Sequence, residues 1–202
     1  MFTGIVTHRG TVLGVEDRGE DLRLEIEAGN GFLEGCKEGD SIACSGACLT
    51  AVDIGENRFF ADVSVETLRC TTIAQWGAGQ RVNLERSMRA DGRFDGHMVS
   101  GHVDGMAELV SSKALASSLD LEFEVEGDLA GYIAAKGSVC LDGVSLTVNA
   151  VDDCRFSVCI IPHTQVMTGL AQLSPGDRVN IEVDLVARYL QRLLQQSGVV
   201  SG

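Results

Sequence analysis

The sequence predicts an all-β chain folded as two homologous antiparallel β-barrels followed by a C-terminal α-helix. Three observations predict it. The chain repeats itself at one fixed offset, each copy is built mainly of short runs that alternate apolar and polar residues, and an apolar helical stripe follows residue 184.

The repeat comes first. Residues 46–50 read G-A-C-L-T and residues 143–147 read G-V-S-L-T, an offset of 97. The same offset pairs Ser41 with Ser138, Arg58-Phe59 with Arg155-Phe156, Thr67 with Thr164 and Gly79 with Gly176. It also pairs R-V-N-L-E at 81–85 with R-V-N-I-E at 178–182, and Gly4 with Gly101. Two copies are too few for a solenoid, so the expectation is two compact domains, 1–90 and 91–184, with a tail at 185–202.

Within each copy, Leu22–Glu27 and Leu119–Val125 alternate with the period of a half-buried strand. Shorter runs follow at Ser41–Cys44, Cys48–Ile54, Phe59–Val65 and Arg81–Leu84, punctuated by Gly39-Asp40, Gly55-Glu56-Asn57 and Gly176-Asp177. Several short strands in one small domain favour closure into a barrel, which removes exposed edges. Short helices are expected at Leu68–Gln75 and Gln165–Leu173. In the tail, Leu185, Val186, Tyr189, Leu190, Leu193 and Leu194 form an apolar helical stripe, which either packs on its own barrel or serves as a seam between copies.

Composition excludes several classes of function. The net charge of −13 opposes nucleic-acid tracking and docking on anionic lipid. No run approaches the roughly 20 apolar residues of a membrane span, and the N-terminus lacks a basic-then-apolar leader. The 7 cysteines, Cys36, Cys44, Cys48, Cys70, Cys140, Cys154 and Cys159, include no C-x-x-C pair and read as reduced thiols of a cytoplasmic protein.

For chemistry, the repeated G-x-[CS]-L-T block stands out. Strand alternation sends Cys48 and Thr50 to one face and Leu49 to the other, and likewise Ser145 and Thr147 against Leu146. Two small polar groups on one face, in both copies, suit a hydroxylated ligand; taken singly they are ordinary strand residues. The segment G-H-M-V-S-G-H-V-D-G at 96–105 brings His97 and His102 to the domain junction among glycines. Their spacing without a cysteine pair is weak for zinc, so no metal is expected. Asp184 fits a helix N-cap. There is no P-loop, G-x-G-x-x-G fingerprint or serine-protease motif.

Together, M-F-T-G-I-V at the start, the G-x-C-L-T block, G-H-M-V-S-G-H-V-D-G, the K-G-S…D-G-V-S-L-T block at 136–147 and I-P-H-T at 161–164 resemble the riboflavin synthase family over essentially the whole chain. Ser45, Ala47 and Cys140 are small departures. The resemblance implies six-stranded barrels, a homotrimer, no cofactor, and dismutation of two 6,7-dimethyl-8-ribityllumazines by transfer of a four-carbon unit, giving riboflavin and 5-amino-6-ribitylaminouracil. It leaves association with a lumazine synthase shell open. It implies an N-terminal substrate site at Gly4, Ile5, Val6, Cys48, Leu49, Thr50, Asp62, Val63, Ser64, Val65, Glu66 and Thr67. A C-terminal site is implied at Gly101, His102, Val103, Lys136, Ser145, Leu146, Thr147, Ile161, Pro162, His163, Thr164, Gln165 and Val166. The active residues implied are Phe2, Ser41, Cys48, His102, Ser145, Thr147 and Asp184, with His97 nearby. The alternatives are a non-catalytic antenna protein that holds a lumazine or flavin, and a barrel used only for macromolecular contacts.

Overall fold

The structure, a computed structural model, describes residues 1–197. The first half contains β1 (His8–Arg18), β2 (Asp21–Glu27), β3 (Ser41–Cys44), β4 (Ala47–Thr50), β5 (Arg58–Val63), α1 (Val65–Cys70) and β6 (Arg81–Arg86). The second contains β7 (Gly105–Ala114), β8 (Leu119–Val125), α2 (Gly127–Ala130), β9 (Ser138–Leu141), β10 (Val144–Asp152), β11 (Arg155–Ile160), α3 (Pro162–Met167), β12 (Arg178–Val183) and α4 (Leu185–Gln196). The offset seen in the sequence carries β1 onto β7, β3 onto β9, β4 onto β10, β5 onto β11 and β6 onto β12.

The second half is a closed barrel in the order β10–β11–β8–β7–β12–β9. The first half is a six-stranded sheet in the same cyclic order, β4–β3–β6–β1–β2–β5. Its closing seam is a single bridge: Val52 and Phe60 exchange both backbone hydrogen bonds at 2.8 Å. Asp53, at φ +48°, bends the chain away just after that bridge, whereas β10 continues to Asp152 and pairs with β11 as a ladder. All strand pairs in both sheets are antiparallel.

Alternation fills each interior. Val12, Leu24, Ile26, Phe59 and Leu84 pack in the first core, and their repeat partners Leu109, Leu121, Phe123, Phe156 and Ile181 pack in the second. Phe123 and Phe156 stack with centroids 5.8 Å apart. The β3–β4 and β9–β10 hairpins turn on Ser45-Gly46 and Asp142-Gly143, with φ of 42°, 86°, 45° and 79°. Two positive values in succession are what a two-residue turn compatible with strand twist demands.

The helices after β5 and β11 begin about one turn earlier than expected. Ser64 caps α1 by accepting from the Thr67 amide, and Pro162 fits the first turn of α3 without needing an N–H partner. The remainder of each expected segment forms a short 3₁₀ turn, at Thr72–Gln75 and Leu170–Gln172. α4 splits the apolar stripe of the tail. Leu185, Arg188, Gln191 and Leu194 are partly covered, while Val186, Tyr189, Leu190 and Leu193 are 55–64% exposed. Residues 198–202 of the tail lie outside the described residues. Among the described residues no helix is long and apolar enough to cross a membrane.

Candidate active site

The two halves meet about a local two-fold axis, and each uses backbone from the other. Phe2 and its repeat partner Val99 pair antiparallel, with N–H···O distances of 2.7 and 3.2 Å. Beyond that pair the chains exchange sides. The Ser145 amide donates to the Gly4 carbonyl at 2.8 Å, and the Cys48 amide donates to the Gly101 carbonyl at 2.9 Å. Gly4 and Gly101 have φ of 75° and 80°, and a Cβ on either would sit 2.6 or 2.5 Å from the Cβ of Ser145 or Cys48. Only glycine permits this approach.

Two buried carboxylates hold the exchanged segments. Glu85 accepts from the Thr3 amide (2.7 Å), the Thr3 hydroxyl (2.9 Å) and the Gly4 amide (3.0 Å). Glu182 does the same for the Ser100 amide (2.7 Å), the Ser100 hydroxyl (2.6 Å) and the Gly101 amide (2.8 Å). Burial raises the pKa of Glu85, and the donated hydrogen bonds oppose that rise. Two buried asparagines lock the barrels together. Asn180 accepts from the Thr72 amide at 2.7 Å and donates to the Ser45 carbonyl at 2.8 Å. Asn83 accepts from the Gly169 amide at 2.9 Å and donates to the Asp142 carbonyl at 2.9 Å. Each asparagine thus fixes the chain just after the other barrel's helix.

The exchange corrects the grouping that the resemblance implied. Gly4, Ile5 and Val6 do not join Cys48 in one pocket; Gly4 lies on Ser145 and Val6 packs in the second core. Likewise, Gly101, His102 and Val103 belong with Cys48, and Val103 packs against the first core. The physical reason is the Phe2–Val99 pair, which aims each segment at the opposite barrel.

The first pocket is a cavity of about 230 Å³ whose lining includes Cys48, Glu66, Thr67, Cys70, Gly101, His102 and Val103. Cys48 comes from β4, and Leu49 beside it points into the core as alternation requires. Thr50 lies further out on the same face as Cys48 and pairs with Ser41 across the β3–β4 ladder. Asp62, Ser64 and Val65 are exposed near the start of α1, and Val63 is buried. His102 is exposed at the rim.

The second site is the repeat image. Ser145, partly buried Leu146 and exposed Thr147 lie on β10. Ile161, Pro162, His163, Thr164, Gln165 and Val166 run through α3, with Ile161 and Val166 57% and 75% exposed. Lys136, exposed and at φ +69°, precedes β9. His97 approaches from the inter-barrel segment, its Nδ1 2.6 Å from the Ser145 Oγ. Burial lowers the His97 pKa while the charge of Asp184 opposes, so the imidazole is neutral at pH 7. Among the described residues its buried Nε2 has no hydrogen-bond partner. Asp184 also caps α4 by accepting from the Val186 amide at 2.9 Å. Phe2 is fully buried at the junction with Ala43, Val99 and Cys140, against Cys48.

The repeat images differ in chemistry. Cys48 faces Ser145 in the alignment, His102 faces Ile5, Glu66 faces His163 and Cys70 faces Met167. Among the described residues no three His, Cys, Asp or Glu are grouped to hold a metal ion. A larger groove of about 540 Å³ lies outside the second barrel, but its Glu108–Arg178 and Glu124–Arg155 pairs satisfy each other and no candidate from the sequence lines it. Sequence reasoning passed over Asn83, Asn180, Glu85 and Glu182, although all four stand in the repeated R-V-N-[LI]-E block.

The Lumazine binding domain family matches twice, over residues 3–87 and 100–184. The chain is 44% identical to a protein of Photobacterium phosphoreum named riboflavin synthase, covering 96% of this chain and 89% of that one. It is 44% identical to a riboflavin synthase of Brucella abortus (96% and 98% covered) and 41% identical to one of Mycobacterium bovis (98% and 100%). Among solved structures, LumP complexed with riboflavin matches with a TM-score of 0.84 at 24% identity, covering 91% of this chain and 99% of that one, which shows the fold. With a crossed pair of repeats, two matching lumazine-binding domains and relatives of this identity over nearly its whole length, the chain belongs to the riboflavin synthase family of paired lumazine-binding domains.

Proposed function

We propose that this chain is a riboflavin synthase. It converts two molecules of 6,7-dimethyl-8-ribityllumazine to one riboflavin and one 5-amino-6-ribitylaminouracil by passing a four-carbon unit from one to the other. The observation that carries the reading is the pair of repeat-related sites with unlike chemistry. The reaction needs two copies of one substrate in two roles. One loses a proton from its C7 methyl, and the other accepts a nucleophile at its ring. Duplication supplies two similar cradles, and Cys48 against Ser145 and His102 against Ile5 make them unequal.

Conjugation already acidifies the C7 methyl, so placed hydrogen bonds on the delocalised anion suffice and no strong base is needed. The neutral His97 imidazole beside Ser145 suits proton transfer, and its unpartnered Nε2 has a hydrogen bond left for a bound molecule. Cys48 and His102 are the corresponding polar groups of the first pocket. Thr50, Thr147 and backbone near Gly4 and Gly101 hold ribityl hydroxyls. Stacking the two rings contributes by orientation, up to about 7–11 kcal/mol of barrier.

One chain does not finish the site. A cavity of about 230 Å³ is below the usual range of small-molecule sites, about 300–1,000 Å³. The exposed Ile161 and Val166 and the exposed face of α4 leave apolar surface on the same chain uncovered. A homotrimer in the cytoplasm, seamed by α4, supplies the missing wall from a neighbour; co-sedimentation tests docking with a lumazine synthase shell. The domains are then 1–90 and 91–184 with the tail 185–202, and each candidate site draws residues from both sides of that division. The antenna reading is less favoured, because the relatives at 38–44% identity are named riboflavin synthase while LumP stands at 24%. The experiment is incubation of the purified protein with the lumazine, with chelator and no added cofactor, following riboflavin absorbance and fluorescence.

A further inference from the structure

The segment that walls the Cys48 cavity is tied by a side chain to the helix that carries the exposed seam, and that side-chain tie has no counterpart in the other half. Asp104 follows His102 and Val103 directly. Its Oδ2 accepts from Arg188 Nη2 of α4 at 2.9 Å and from the Val183 amide at 2.9 Å. The Asp104 amide donates to the Ile181 carbonyl at 2.9 Å. The side chains of Arg188 and Asp104 are only 36% and 15% exposed, so water screens this pair less than a surface ion pair. Among the described residues this is the one side-chain hydrogen bond from α4 to either barrel. In the first half the position of Asp104 is taken by Thr7: its amide makes the matching bond to the Leu84 carbonyl at 3.1 Å, but its hydroxyl reaches only that same carbonyl at 3.4 Å, and β6 runs on into a loop instead of a helix. The segment 4–6 therefore has its glutamate clamp and no latch, while the segment 101–103 has both.

We infer that Arg188 is a positioning residue for the Cys48 site: through Asp104 it holds the strip carrying His102 and Val103 against β4, so that the helix exposed for assembly also sets the wall of one pocket. The inference rests on the proposed riboflavin synthase reading for its activity readout. Arg188 touches no reacting atom. It acts through the backbone of residues 101–104, and a displacement of about 1 Å at a reacting group can cost on the order of a hundredfold in rate.

The test compares parent, Arg188→Ala, Arg188→Lys, Asp104→Asn and the double variant Arg188→Ala/Asp104→Asn. Turnover of the lumazine is measured at protein concentrations where solution mass matches the parent. Alongside it, hydrogen exchange is measured at the amides of Gly101, His102 and Asp104. The expected result is a roughly ten- to hundredfold loss in kcat/KM for Arg188→Ala and Asp104→Asn, partial retention with Lys, and a double variant no worse than the poorer single. Exchange at residues 101–104 quickens while exchange at the Gly4 amide stays at the parent rate. If the parent makes no riboflavin, the functional reading fails on its own, and exchange still decides the latch. Parent-like exchange at 101–104 in Arg188→Ala overturns the inference. So does full turnover by that variant, or a loss that vanishes once assembly is restored by concentration.

Discussion

At the scale of single residues, the account turns on the positions where the repeat diverges. Cys48 and Ser145 occupy the same place on β4 and β10, each donating its amide to a glycine carbonyl of the other half. A thiol is a larger and weaker hydrogen-bond donor than a serine hydroxyl, so the two cradles offer different donors. Cys48→Ala is expected to lower turnover on the order of a hundredfold and Cys48→Ser to keep part of it. Ser145→Ala also strips His97 Nδ1 of its partner and should be equally harmful; steady-state kinetics of the three variants and the parent check this, and parent-like turnover by both Cys48 variants makes Cys48 a packing residue only. Divergence also falls at the hairpin turns, where Asp142 stands against Ser45. The Asp142 residue keeps some exposed surface, but protein atoms crowd its carboxyl at the barrel junction, and burial raises its pKa to about 7 against the hydrogen bond from the Asn180 amide. An acid whose folded pKa is raised contributes stability below its unfolded pKa, near 4, and loses it as pH rises toward 7. Asp142→Asn keeps the acceptor and suits the left-handed turn. Between pH 5 and 7 the variant should gain on the parent by at most about 1.4 kcal/mol per pH unit, less where water reaches the carboxyl. Denaturant melts at several pH values read this directly, and a pH-independent difference contradicts it.

Among the elements, the strands were legible and their partners across the junction were not. Alternation at Leu22–Glu27 and Leu119–Val125 marks β2 and β8 because one face of each must enter a core, and Gly39-Asp40 and Gly176-Asp177 mark turns in which the glycine takes a positive φ. Nothing local in Gly4-Ile5-Val6 or Gly101-His102-Val103 says which barrel it will cover, since that choice is made by the antiparallel Phe2–Val99 pair and by glutamates some 80 residues away. Asn83 and Asn180 were visible as repeated letters, yet their function as locks exists only once two barrels face each other. For α4 the sequence showed an apolar stripe without distinguishing its two faces; the fold turns Arg188 inward and leaves Val186, Tyr189, Leu190 and Leu193 outward. Replacing both Leu190 and Leu193 by Glu, with Arg188 intact, is expected to give monomers that keep the barrel fold and lose most turnover. Sedimentation paired with the lumazine assay checks it; a monomer at full rate places the whole active site within one chain.

The whole molecule is a duplication whose copies have been made interdependent. Glycines at the junction allow two backbones to touch, with Gly46 and Gly143 so close that a Cβ on either would lie 2.8 or 2.9 Å from the other's amide nitrogen. Buried carboxylates and asparagines then bind each copy's pocket wall to its neighbour. Such a frame gives two cradles of fixed relation and unequal chemistry, which is what a reaction between two identical molecules in different roles requires. The resemblance in the motifs reached the family from the sequence, while the crossed construction of its pockets became visible only in three dimensions. The measurement that tests the central claim most directly is incubation of the purified protein with 6,7-dimethyl-8-ribityllumazine, chelator present and no cofactor added. The account predicts riboflavin at one molecule per two lumazines consumed, with one 5-amino-6-ribitylaminouracil alongside; tight binding of the lumazine with no riboflavin formed would contradict it.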